Sequence, residues 1–169
     1  LVDPDNRRPV NYQQRQEILK EIKERSQQDL STLITELKDT AKDGRIKLFL
    51  ITQALEVRNQ NIKLFQEGDY IPLTIRGKYA DHVVAFARVY DNQCSITVVP
   101  RYLTSLVSPP NYALREEVWQ DTYLEVPHQL QSNWFNNLTG EVLSNQETLT
   151  IGSIFQSFPV ALLINSTEE

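Results

Sequence analysis

Few side chains in this 169-residue chain could carry chemistry. A catalytic thiol requires a base within reach, and the single cysteine, Cys94, has only His82 and His128 as histidine candidates. Cys94 opens a run rich in β-branched residues, where a buried small hydrophobe is the expected role. Zinc takes three or four close ligands, which one cysteine and two distant histidines do not supply. Neither a metal nor a cofactor is expected. Glu116 and Glu117 are neighbours in sequence, but adjacent residues on a helical turn point apart, so a solvated surface suits them better than paired acid and base roles. Trp119, Tyr123, Trp134 and Phe135 could stack on the apolar faces of pyranose rings, or they could fill a core, and both readings stand.

The densest constellation is the opening Leu1-Val2-Asp3-Pro4-Asp5-Asn6-Arg7-Arg8-Pro9-Val10. Its prolines restrict their own backbone and that of the residues before them. Two acids, an amide and two arginines in such a loop can present fixed donors and acceptors to a polyhydroxylated ligand. They can equally pair among themselves and fix the loop ahead of the first helix.

Composition narrows the function classes. The net charge is −5 and no dense Lys/Arg block occurs, so binding to nucleic acid by phosphate neutralisation is not expected. No apolar run approaches the roughly 18 residues of a membrane span, and no basic leader precedes an apolar stretch. Asn137-Leu138-Thr139 and Asn165-Ser166-Thr167 match the glycosylation sequon, a pattern short enough to arise by chance. With one cysteine and no methionine, the chain is expected to be a piece of a longer cytoplasmic protein.

The elements that must position these residues fall into two kinds. Up to Gln66 there are 12 Lys/Arg, 10 Asp/Glu and three aromatics; from Glu67 onward there are 5, 12 and twelve. Tyr12 to Arg25 sets Ile18, Leu19 and Ile22 on one face, and Leu30, Leu33, Ile34, Leu37 and Ala41 form a second helical stripe with Asp29 as its N-cap. A third helix is expected from Asp43 to Asn59, with apolar residues wrapping most of its circumference, which demands cover on more than one side. Strands are expected over Ile71 to Arg76, His82 to Tyr90, Cys94 to Val99, Thr122 to Val126, Leu138 to Leu143 and Val160 to Ile164. Turn signals at Gly77, Asp91-Asn92, Pro109-Pro110-Asn111, Pro127 and Gly140 separate them. The expected fold is α+β: a helical segment, residues 1–66, followed by an antiparallel β-sandwich, residues 67–169. Helical turns are expected near Leu114 to Gln120 and Ser153 to Gln156.

An ordered series of stretches carries a resemblance. The opening ten residues, Asp43-Gly44-Arg45-Ile46-Lys47-Leu48, Gly68-Asp69-Tyr70-Ile71-Pro72-Leu73, Ala80-Asp81-His82-Val83-Val84-Ala85-Phe86-Ala87-Arg88, Val98-Val99-Pro100-Arg101, Trp119-Gln120-Asp121-Thr122, Asn137-Leu138-Thr139-Gly140-Glu141 and Phe158-Pro159-Val160-Ala161-Leu162-Leu163 resemble the C-terminal region of the maltooligosyltrehalose synthase family. This family, also called glucan 1-alpha-glucosylmutase, belongs to the α-amylase superfamily. The opening loop alone points only to the superfamily, whereas the ordered series is narrower. The resemblance implies that residues 1–66 are the end of a TIM-type barrel and that the parent converts the reducing-end α-1,4 linkage of a maltooligosaccharide into an α,α-1,1 linkage.

It also implies that the catalytic acids lie upstream of Leu1, so no catalytic residue is expected here and the chain alone should be inactive. Loops at the C-terminal ends of barrel strands surround an active site, which makes Asp5, Asn6, Arg7 and Arg8 the expected substrate contacts. The partner implied is a maltooligosaccharide, reached through the parent barrel. Self-association through the exposed third helix is expected of the isolated piece. The alternatives are the tail of a hydrolytic α-amylase relative and a non-catalytic glucan-binding module.

Overall fold

The computed structural model describes residues 9–107 and 116–165. The chain divides into two compact units, residues 1–49 and 50–169.

The first unit is built from helices α1 (Tyr12–Gln28) and α2 (Leu30–Asp39), a 3-10 turn Ala41–Asp43, and the beginning of α3 (Arg45–Gln60). The Asn11 side chain caps α1 by accepting from Gln14 N at 3.0 Å. Asp29 both ends α1 and starts α2. Its own N–H donates to the Arg25 carbonyl at 2.9 Å, and its carboxylate accepts from Thr32 N at 3.1 Å, satisfying an amide that the first turn leaves unpaired. Ile22 of α1 and Leu33, Ile34 and Leu37 of α2 are buried, the faces that the apolar spacing selects. Ala41 departs from that stripe. The helix stops at Thr40, whose hydroxyl bonds back to the Glu36 carbonyl at 2.9 Å, and Ala41 is exposed in the 3-10 turn that follows.

The second unit mixes helix with two antiparallel sheets. The larger is ordered β1 (Asp69–Pro72), β3 (Val83–Tyr90), β4 (Gln93–Pro100), β9 (Ala161–Asn165), β6 (Trp134–Asn136) and β7 (Val142–Leu143). The smaller joins β2 (Ile75–Arg76), β5 (Tyr123–Glu125) and β8 (Thr148–Thr150). Strands β3 and β4 pair from Val83–Pro100 to Tyr90–Gln93 around the two-residue turn Asp91-Asn92, and Asp91 takes the positive φ of 51° that such tight hairpins require. On β3, Val83, Ala85 and Ala87 are buried, one face of the alternation. They join Ile96, Val98 and Leu163 of the larger sheet, Leu124 and Leu149 of the smaller, and Trp119 and Ile151 of the short helices α5 (Glu116–Trp119) and α6 (Ile151–Ile154) in a single core. The opposite face of β3 meets α4 (Ile62–Gln66), where Arg88 Nη2 donates to the Phe65 carbonyl at 2.7 Å and the Tyr70 and Phe86 rings lie 4.9 Å apart.

Two expected strands differ. Ile71 to Arg76 is not continuous: Leu73 N still donates to Ala85 O at 3.0 Å in the larger sheet, while the Thr74 carbonyl already accepts from Glu125 N at 3.0 Å in the smaller. The chain changes sheets between two residues. Leu138 to Leu143 is mostly a turn, because Asn136 Oδ1 captures Leu138 N at 3.1 Å and Gly140 adopts φ 78°. Those backbone groups are diverted from a ladder, and the pairing falls on Trp134–Leu143 and Phe135–Val142 instead.

Ile96 is fully buried at the centre of the core, whereas Val142 on the edge strand is 64% exposed. Ile96→Ala is expected to cost about 2–5 kcal/mol and Val142→Ala less than about 0.5 kcal/mol, read as shifts in urea unfolding midpoints.

Candidate functional site

The expected substrate contacts Asp5, Asn6, Arg7 and Arg8 lie outside the described residues. The described part of the first unit holds a different polar cluster. The Glu36 carboxylate bridges two arginines, with Oε1 2.8 Å from Arg45 Nη1 and Oε2 2.7 Å from Arg25 Nη2. Arg25 also reaches Glu21 Oε1 at 3.3 Å, and Arg45 reaches Asp43 Oδ2 and Thr40 Oγ1 at 2.8 and 3.0 Å. These groups tie α1, α2 and the start of α3 together. Hydrogen bonds from Arg25 and then Arg45 hold the Glu36 carboxyl below its ordinary value, and bonds from the Arg45 backbone and side chain do the same for Asp43. A general acid needs the opposite, a raised carboxyl pKa. The arrangement fastens helices and offers no proton to a substrate.

Cys94 is buried, and desolvation pushes its thiol up to about 11, so it is not a nucleophile near neutral pH. Among the described residues no group of three His, Cys, Asp or Glu side chains could hold a metal ion, and no helix is long and apolar enough to cross a membrane. Of the four aromatics that could have stacked on sugar, Trp119 and Trp134 are fully buried and belong to the core; Phe135 is 41% exposed on β6, between β9 and β7. The Asn165 amide of the second sequon is engaged within the fold, accepting from Cys94 N at 2.7 Å and donating to the Asn92 carbonyl at 2.8 Å.

Two surface features of the second unit remain. One is a largely apolar hollow of about 270 Å³ lined by Leu50, Ala54, Leu55 and Arg58 of α3, Phe65 of α4 and Leu162. Ile51 and Leu55 on this helix are 45% and 49% exposed. A wall so poor in polar groups suits an apolar side chain better than a sugar hydroxyl.

The other is a row of rings. Tyr79 and His82 meet edge to face with centroids 5.8 Å apart, and His82 and Tyr102 do the same at 6.4 Å. Lys78 Nζ lies 5.2 Å from the Tyr79 ring centre and the Arg101 guanidinium 4.9 Å from that of Tyr102. Tyr102 is 66% exposed and sits at φ 54°, ψ 40°, a left-handed conformation that costs a non-glycine residue about 1–2 kcal/mol. The sequence signal for this row is a basic residue directly before a tyrosine, in Lys78-Tyr79 and again in Arg101-Tyr102. Nothing in strand periodicity brings the two pairs together, so sequence reasoning passed over them.

No family model matches the chain. Proteins named as maltooligosyl trehalose synthase in two strains of Mycobacterium tuberculosis are 30% identical to it over 164 residues, 97% of this chain and 17% of their own length. A solved structure of a variant of the maltooligosyltrehalose synthase from Arthrobacter ramosus superposes with a TM-score of 0.62 at 25% identity, covering 98% of this chain and 18% of that one. The chain is similar, almost end to end, to part of a maltooligosyltrehalose synthase. It spans about a sixth of the length of the curated synthases it matches. The mixed helical and antiparallel architecture is shared with the Arthrobacter synthase, and both comparisons reach across the helical and the sheet-bearing unit alike.

The helix-fastening cluster has a pH signature. Asp29, Glu36 and Asp43 all have lowered folded-state values, so at mildly acid pH the native state binds fewer protons than the unfolded chain. Their stabilisation is complete above the unfolded carboxylate range, about pH 4, and is lost as the pH falls through the lowered folded values. Acid titration followed by circular dichroism is expected to show helix loss on this limb. Glu36→Gln should be less stable at neutral pH and lose less on acidification.

Proposed function

We propose that this chain is the C-terminal part of a maltooligosyltrehalose synthase, an enzyme of trehalose biosynthesis. The observation that carries the reading is the match of 164 residues at 30% identity, covering 97% of the chain, to proteins of that name. In this reading residues 1–66 are the tail of the catalytic barrel and residues 67–169 are a C-terminal β-sandwich domain. The two antiparallel sheets with their shared core support the second assignment.

The parent reaction exchanges an α-1,4 for an α,α-1,1 linkage at the reducing end of a maltooligosaccharide. Retention at the transferred carbon calls for one carboxylate as nucleophile and a second as acid and base, close enough to make and resolve a covalent glycosyl intermediate. The released glucose must turn and attack through its anomeric hydroxyl before water does, so exclusion of water decides between isomerisation and hydrolysis. The catalytic acids belong to the parent barrel. In support, the described carboxyls that shift all shift downward, away from the behaviour of a general acid. The same reading makes Asp5, Asn6, Arg7 and Arg8 the substrate contacts.

The 169-residue chain alone is expected to turn over no maltopentaose, and robust turnover by pure material would refute the assignment. The protein at its natural length is expected to yield trehalose-ended products, with Arg7→Ala shifting the ratio toward free glucose. Predominant hydrolysis by the unsubstituted protein would mark it instead as a hydrolytic relative. The exposed Ile51 and Leu55 support a further expectation, that the isolated chain self-associates through α3. Light scattering that shows a strict monomer across a wide concentration range would sink it.

A further inference from the structure

The row of rings at Tyr79, His82 and Tyr102 is held more firmly than a surface loop needs to be. Lys78 N donates to Asp121 Oδ1 at 3.0 Å and Tyr79 N to Thr122 Oγ1 at 3.1 Å, which pins the loop to the segment before β5. Gly77 permits that approach: at φ 97° a Cβ there would lie 2.5 Å from the Asp121 carbonyl oxygen. Arg101 then sews the second segment to the first, its backbone N–H donating to the His82 carbonyl at 2.8 Å and its Nε to the Asp81 carbonyl at 2.7 Å. The result is a tyrosine that is 66% exposed on a fixed base, with the exposed Arg101 over its ring, the exposed Asp81 tied to Arg101 through its carbonyl, and the exposed Lys78 over Tyr79 further along the row.

We propose that this surface is a glucan-binding platform. Tyr102 stacks, through the ring face that Arg101 leaves open, on the apolar face of a glucose unit in an α-1,4-glucan, while the polar groups along the row, Arg101, Asp81 and, beside Tyr79, Lys78, exchange hydrogen bonds with hydroxyls of that unit and its neighbours. Three features favour a sugar polymer. The ring is exposed although its backbone is strained, and strain of this kind collects at ligand-binding positions. The exposed polar residues along the row carry both signs, which matches hydroxyls that donate and accept, whereas a polyanion would want cations alone. Both segments are already ordered, so little conformational freedom is lost on binding. The choice of an α-1,4-glucan rests on the maltooligosyltrehalose synthase reading; the platform geometry does not.

The test is sedimentation of the protein at its natural length with insoluble starch granules, comparing the unsubstituted protein with Tyr102→Phe, Tyr102→Gly and Tyr102→Asn. Glycine and asparagine both tolerate the left-handed backbone, so the ring is removed without new strain. Retention is expected for the unsubstituted protein and the phenylalanine variant. The two variants without the ring should bind at least about tenfold more weakly while keeping their melting temperatures within a few degrees. Equal retention by a well-folded ring-less variant overturns the platform, as does failure of the unsubstituted protein to sediment, the result expected if the rest of the parent chain covers this face. Conversion of maltopentaose by the unsubstituted protein is scored separately. If that fails while sedimentation still depends on Tyr102, the family reading falls and the platform stands.

Discussion

Strand β4 bonds to β3 along one edge and to β9 along the other, and the second unit is organised by that double pairing. The hairpin to β3 is local and set by a two-residue turn, but β9 arrives from more than sixty residues away, and its insertion between β4 and β6 brings the C-terminal third of the chain into the sheet. Only with β9 in place do Ile96, Val98, Ala161 and Leu163 form a continuous apolar floor on which the smaller sheet and the short helices α5 and α6 can rest. The ring row depends on the same frame. Its two segments leave the same open end of the β3–β4 hairpin, one just before Val83 and the other just after Pro100, so pairing of those two residues sets the distance between His82 and Tyr102.

The first unit is assembled by a different balance. Its helices are rich in polar residues, with few fully buried side chains. Caps and charge take a larger share: Asp29 serves two helices at once, and Glu36 satisfies two arginines from neighbouring segments. Each exposed ion pair contributes little by itself. A carboxylate shared between Arg25 and Arg45 does more to fix how the helices meet than to hold them folded, because it selects among arrangements that bury similar apolar area.

Aromatic residues were allocated by geometry rather than by type. Trp119 and Trp134, the largest apolar surfaces in the chain, are taken by the core, as their size favours. Tyr79 and Tyr102 stand beside strand ends, where the backbone turns outward and cations from the preceding positions lie over their rings. A glucan reading founded on the tryptophans would therefore have chosen residues that no ligand can reach.

The local signals were sufficient for the elements. Helix faces, the cap at Asp29, the Asp91-Asn92 turn and the strand leading into it were all readable, because each depends on residues within a few positions of one another. The ordered family-like stretches also told, from sequence alone, which protein this chain is similar to. Tertiary structure alone decided where the chain changes sheets at Leu73-Thr74, that Leu138 is buried by a turn instead of a strand, that Glu36 finds two arginines, and that Lys78-Tyr79 and Arg101-Tyr102 meet across His82. In each case the deciding contacts join residues distant in sequence or depend on where a turn places a side chain. Hydrophobic periodicity records which face of an element is buried and is silent about which other element buries it.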